Sequence, residues 1–188
     1  MDKHKDVMQG DFIDSYLNNT HKFRQGLKYM TECDNSQYVF FLDGDYALNV
    51  HALVEFLRVN GTSHMFTGKL WPASYPPRRK ADPHYMSFEF YPFRRLPPFI
   101  AAGATILSRD IVLPLHVVAR YTKYVPFDDV FYGMVAAKLL IDLKDLSDLI
   151  PSWFIPKLRD IASHRRMIGS HRFGNLTEVK LIHQMLHS

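Results

Sequence analysis

Apolar side chains at Phe12, Tyr16, Phe23, Leu27 and Met30 recur at helical spacing, which predicts a helix over about residues 18–33 that stops near Asp34-Asn35. A different pattern follows. Tyr38-Val-Phe-Phe-Leu42 is an unbroken apolar run, the mark of a strand buried on both faces, as in a parallel sheet. It ends at Asp43-Gly44-Asp45-Tyr46, after which Val50, Leu53, Val54 and Leu57 predict a second helix. Helix, buried strand, acidic turn and helix make an α/β rhythm. Further on, Phe99 to Ser108 (FIAAGATILS) reads as another buried strand, with Gly103 at a close backbone approach. Ile111 to Tyr121 reads as a helix with Pro114 in its first turn, and Val130 to Ile141 as a helix buried nearly all round.

Between these elements the pattern breaks down. Residues 71–98 hold seven of the eleven prolines together with Arg78, Arg79, Arg94, Arg95 and many aromatics, a density that forbids regular helix and confines strands to edges. A long ordered loop of this kind usually carries function. The tail from 142 to 188 shows short mixed elements and no repeat. No linker interrupts the chain, so residues 1–188 are expected to form a single domain.

Composition narrows the classes. The 188 residues carry 23 Lys+Arg against 19 Asp+Glu, a net +4 spread along the chain, with no basic block of the kind that binds nucleic acid. An aromatic content of 14% excludes disorder, and the lone Cys33 excludes a disulfide framework or a Cys-based zinc site. No run approaches the roughly 18 apolar residues of a membrane span. The charged start, Met1 to Asp6, does not read as a signal peptide. Against a cytosolic location stand three Asn-x-Thr sequons, at Asn18, Asn60 and Asn175, which take up half of the six Asn.

Two acidic pairs are the candidate chemistry. Asp43 and Asp45 follow a strand, where ligands gather in open α/β sheets, and two carboxylates around a Gly can converge on a hard cation; the plain alternative is a solvated turn. Asp128-Asp129 precede an apolar helix. One acid suffices as a cap, which leaves its neighbour free to act as a general base. His171 is a possible imidazole ligand, one among ten His, and the four loop Arg are candidates for a diphosphate. No nucleophile elbow or Cys-His signature is present.

Taken together, DFIDSYLNNTHK, SQYVFFLDGDY, YPFRRLPPFIAAGATILSRD and FDDVFYGMVAAKLLI, in that order, resemble the metazoan β1,3-glycosyltransferases, and most of all the Brainiac-like branch, which acts on glycolipids. The likeness is good over residues 5–142 and thin beyond. It implies a GT-A-type, Rossmann-like fold. It further implies a Mn2+ (or Mg2+) ion that holds the diphosphate of a UDP-GlcNAc or UDP-Gal donor, and a glycan or glycolipid acceptor. Asp43 and Asp45 would match the D-x-D motif, with Asp45 the direct ligand. Asp129 would be the catalytic base. His171 would complete the metal shell, with His164 as the alternative. Tyr91, Pro98, Gly103 and Asp128 would line the acceptor and donor cleft. The family's setting is the luminal side of the Golgi membrane. Its members carry an anchor, a stem and the first nucleotide-binding strands ahead of the DF-x-D-x-Y motif, so this chain is expected to be part of a longer protein or a short paralogue, with membrane association only through a segment outside it.

The implied chemistry is an inverting transfer: an acceptor hydroxyl attacks the anomeric carbon opposite the departing UDP, through an oxocarbenium-like transition state. Where family members often have a third Asp inside the triplet, this chain has Gly44. The competing reading is a catalytically inactive homologue that binds a sugar or a partner.

Overall fold

The computed structural model describes residues 7–151, 160–171 and 175–187. Met1 to Asp6, and the stretch 172–174 within the late His motif, lie outside them. A single 3₁₀ turn at Tyr16–Asn18 leads into α1 (Asn19–Cys33), followed by β1 (Tyr38–Leu42), β2 (Ala47–Leu48), α2 (Val50–Asn60) and β3 (Phe66–Trp71). After the proline-rich loop come β4 (Phe99–Ser108), α3 (Arg109–Ala119), α4 (Asp128–Lys138), β5 (Leu143–Asp145), α5 (Ile161–Arg166), β6 (Gly169–Ser170) and α6 (Leu176–His187). The main sheet runs β1-β4-β3-β5, and a small second sheet pairs β2 with β6. This is the mixed α/β architecture that the hydrophobic pattern predicts.

Strand direction departs from expectation. β1 pairs antiparallel with β4 through Tyr38↔Ser108 to Leu42↔Ala104, and only β3 with β5 is parallel. The apolar run of β1 does face two cores. Val39 and Phe41 pack against the cluster under α1, α3 and α4, while Tyr38, Phe40 and Leu42 face the cluster beneath α2. An unbroken apolar run encodes two covered faces and carries no information about direction. All five residues are only half-buried, because β1 has one sheet neighbour among the described residues.

Two helices differ in detail. α3 starts at Arg109, so Pro114 is its sixth residue and not part of its first turn. α4 starts at Asp128, with Phe127 as the N-cap residue, so both acids lie inside the helix and neither is the cap. The helix is buried on most sides, as predicted: Val130, Phe131, Tyr132, Gly133, Val135 and Ala136 are all inaccessible. Gly133 lets it approach the sheet, since a Cβ there would lie 2.6 Å from Phe99 Cβ and 2.7 Å from the Pro98 carbonyl oxygen.

Residues 72–98 contain no helix or strand, yet they are tied down. The Arg78 guanidinium donates to the carbonyls of Met86 (2.8 Å), Tyr91 (2.7 Å) and Phe93 (3.0 Å) and lies 4.1 Å from the centre of the Phe88 ring. One planar fork thus does for this loop what a ladder of hydrogen bonds does for a sheet.

Candidate active site

The Asp43–Tyr46 turn is closed by the Tyr46 N–H donating to the Asp43 carbonyl (3.2 Å), while the Asp43 N–H donates to the Gly103 carbonyl on β4 (2.8 Å). Gly103 has φ +96°, a conformation open to glycine, and a Cβ there would sit 3.2 Å from Asp43 Oδ2 and 3.2 Å from the Tyr46 ring. The small sheet then does the long-range work. Pairing Ala47 with Ser170 and Leu48 with Gly169 carries His171 back to the turn. There its Nε2 lies 3.1 Å from Asp45 Oδ2, and its ring stacks on Tyr46 at 4.5 Å and 21°. The other ring nitrogen, Nδ1, is buried and has no hydrogen-bond partner among the described residues.

Asp43, His171 and Asp129 line one cleft of about 610 Å³. Asp45 joins it through His171. A smaller cavity of about 220 Å³ lies on the other side of Asp43 and Gly103, with Lys22, Asn19, Thr105 and Asp128 in its wall. Two residues expected at the cleft stand elsewhere. Tyr91 is buried in the main core with its hydroxyl donating to the Arg95 carbonyl (2.6 Å), and Pro98 is exposed beside α4. Both fall in the right segment, but the loop's turns aim Leu96 and Phe99 inward in their place.

His164 lies in the interior, with Nδ1 3.1 Å from Ser170 Oγ. Arg78 is spent on loop carbonyls, and Arg95 lies over Tyr75 at 5.3 Å. Of the sequon residues, Asn60 and Asn175 are exposed and Asn18 is half-buried.

Among the cleft residues that the sequence reading missed are Trp71, Asp82 and His84. His84 Nε2 lies 3.2 Å from the Tyr16 hydroxyl, and its backbone N–H donates to Asp82 Oδ1 (2.8 Å). Nothing in the spacing of a proline-rich loop marks them. Trp71, at the end of the unforeseen β3, was open to recognition only as an aromatic beside the loop.

Electrostatics divide the acids. Burial, then repulsion from Asp129, pushes Asp128 up to about 7. Burial pushes Asp129 up to about 6, against the hydrogen bond that its Oδ1 accepts from the Val130 N–H (2.7 Å). Asp43 is raised by partial desolvation and by the neighbouring Asp45 charge.

Among the described residues no three His, Cys, Asp or Glu side chains converge as a complete metal cage. Asp45 and His171 nonetheless suit a shared ion. Two ligands at right angles on an ion about 2.1 Å away stand about 3.0 Å apart, close to the separation seen here. A carboxylate and an imidazole are an acceptable donor set for Mn2+ or Mg2+, and such ions commonly complete their shells with substrate phosphates and water.

Sheet, paired acids and a cleft beside them define an α/β domain with an acidic ligand cleft. Residues 1–147 match the Galactosyltransferase family model, and the chain belongs to that family. It is 34% identical over 182 residues to beta-1,3-galactosyltransferase brn of Drosophila melanogaster, covering 94% of this chain and 55% of that protein. It is 33% identical over 147 residues to beta-1,3-galactosyltransferase 5 of Mus musculus (77% of this chain, 48% of that protein). It is 30% identical over 173 residues to UDP-GalNAc:beta-1,3-N-acetylgalactosaminyltransferase 1 of Sus scrofa (90% and 52%). The chain spans about half the length of the curated relatives it matches. No helix among the described residues is long and apolar enough to cross a membrane.

Proposed function

We propose that this chain carries the catalytic cleft of an inverting, metal-dependent hexosyltransferase of the Golgi lumen. It moves galactose or N-acetylglucosamine from a UDP-sugar to a glycan or glycolipid hydroxyl in β1,3 linkage. The single observation that carries the reading is that Asp43, Asp129 and His171, distant in sequence, line one cleft, with Asp45 in reach of His171. Family membership and relatives named as β1,3-hexosyltransferases support the linkage and the reaction class.

Asp129 takes the proton of the acceptor hydroxyl as that oxygen attacks the anomeric carbon. Its pKa near 6 leaves it ionised at neutral pH yet far more basic than an ordinary Asp, which suits a general base. Trp71 and Phe99 add apolar wall to the same cleft. Asp45 and His171 would hold the Mn2+ or Mg2+, with Asp43 beside them as the second acid of the turn. When bound, the ion neutralises charge on the departing diphosphate.

The test is UDP release from UDP-Gal and UDP-GlcNAc with Mn2+ and lactosyl or mannosyl acceptors, with and without EDTA. Release that requires both metal and acceptor, and that is lost in Asp129→Asn while donor binding persists, is the expected result. Donor binding without turnover in the unmutated chain assigns the inactive-homologue reading instead.

A further inference from the structure

Three Asn-x-Thr triplets occur in the chain, and the fold supplies its own reason for two of them. In the first, Thr20 is fully buried with its hydroxyl donating to the Val125 carbonyl (3.2 Å), and the Asn18 amide donates to the Ile13 carbonyl (2.8 Å). In the third, Asn175 Oδ1 accepts the Glu178 N–H (3.1 Å) at the start of α6. The middle triplet is the most open. Asn60 and Thr62 are both exposed; Asn60 Nδ2 donates to the Phe56 carbonyl at 3.2 Å within its own helix, and Lys144 Nζ reaches Thr62 Oγ1 only at 3.5 Å. Only Gly61 between them is fixed by packing, since a Cβ there would lie 2.5 Å from the Tyr38 hydroxyl oxygen.

Asn60 also forms part of the wall of a shallow groove of about 290 Å³ at the end of α2. Phe56, Val59, Leu149 and Ile168 make it apolar, and Arg166 stands at its edge. Val59 is 63% exposed, an apolar residue at the groove's rim with little protein cover. Phe56 and Asn60 are one helical turn apart and so share a face.

We infer that Asn60 is N-glycosylated and that the first N-acetylglucosamine of the glycan is seated in this groove. The inference rests on the reading that the chain folds in the secretory lumen; it does not depend on turnover. The reaction is the transfer of an oligosaccharide from a lipid-linked diphosphate. A bond forms between Asn60 Nδ2 and the anomeric carbon, the carbon–oxygen bond to the diphosphate breaks, the lipid diphosphate departs, and one amide proton goes to base. Nδ2 carries two hydrogens. One points to the Phe56 carbonyl and the other is replaced by the sugar, so modification preserves the existing contact. The C–H face and acetamido methyl of the hexosamine match the apolar floor, and the Arg166 guanidinium offers donors to its hydroxyls.

The full chain, preceded by a cleavable secretory signal, is translated into microsomes, and glycan mass is read before and after peptide-N-glycosidase. This readout needs neither folding nor activity, and signal cleavage reports translocation separately. The expected result is one glycan that disappears in both Asn60→Gln and Thr62→Ala. A translocated chain with Asn60 bare overturns the site, whatever the transferase assay shows. For the seat, unmutated protein and Asn60→Gln are both trimmed by endoglycosidase to single sugar residues and melted. The expected result is a melting temperature lower by a few degrees in Asn60→Gln, with the gap closed in a Phe56→Ala background. Equal melting temperatures in the Phe56 background and the native one overturn the groove as the seat.

Discussion

The two acidic pairs are made of the same residue type and face neighbouring cavities, yet they live in opposite environments. Asp43 and Asp45 are exposed, on a turn after an edge strand, and Asp45 keeps half its side-chain surface open. Asp128 and Asp129 are half-buried in the first turn of an apolar helix, where the dipole favours their charge but the loss of water outweighs it. The difference teaches a division of labour. Asp45, open to solvent, suits a cation, and Asp43 beside it is already partly desolvated; Asp128 and Asp129, stripped of water, hold a proton near neutrality and suit proton transfer.

The largest expected effect comes from deleting the buried member. Asp129→Asn is isosteric and is expected to reduce turnover by about 10²–10⁴-fold, measured as UDP release, with donor affinity retained. On the solvated pair, Asp45→Ala is expected to weaken Mn2+-dependent donor binding by about 10–100-fold or more, read by titration calorimetry with UDP. His171→Gln should match it, whereas His164→Gln should lower stability and leave metal dependence intact.

The pH profile sharpens the contrast. Because the base must be ionised, turnover is expected to fall about tenfold per unit below an apparent pKa near 6, far above the limb an ordinary Asp would give. A limb at the pH of an ordinary Asp would mean that Asp129 is not the reacting carboxylate.

Two smaller effects concern stability. Gly103→Ala forces a side chain into φ +96° and against Asp43, and is expected to cost about 1–2 kcal/mol in denaturant unfolding while shifting the turn. The raised values of Asp128 and Asp129 mean that the folded state binds more protons than the unfolded one between about pH 4 and pH 7. Their contribution to stability is therefore fully present below about pH 4 and lost as pH rises through about 7. Asp128→Asn should flatten this slope and stabilise the protein at pH 8 by about 1 kcal/mol, measured by urea unfolding at pH 5 and pH 8.

Legibility in the sequence followed the range of the interactions. α1, β1, α2, β4 and α4 declare themselves because their periodicity is local and strong. β3 does not: Phe66-Thr-Gly-Lys-Leu-Trp71 mixes polar and apolar residues, and its burial comes from β4 and β5 on either side. The two-residue strands β2 and β6 have no pattern to read, although their pairing is what brings His171 to Asp45. The acids were visible because they flank strong elements. His84 and Asp82 were not, because the path of a loop without periodic hydrogen bonding is set by tertiary contacts. The same loop explains why Tyr91 and Pro98 were expected at the cleft and stand behind it.

Arg78 gives that loop a property of its own. A single guanidinium gathers three carbonyls from separate turns, so the cleft's outer wall has one shared anchor in addition to its backbone bonds from Met86 to Pro77 and from Leu96 to Ser74. Losing that one side chain would release three turns at once, on the side of the cleft opposite the acids.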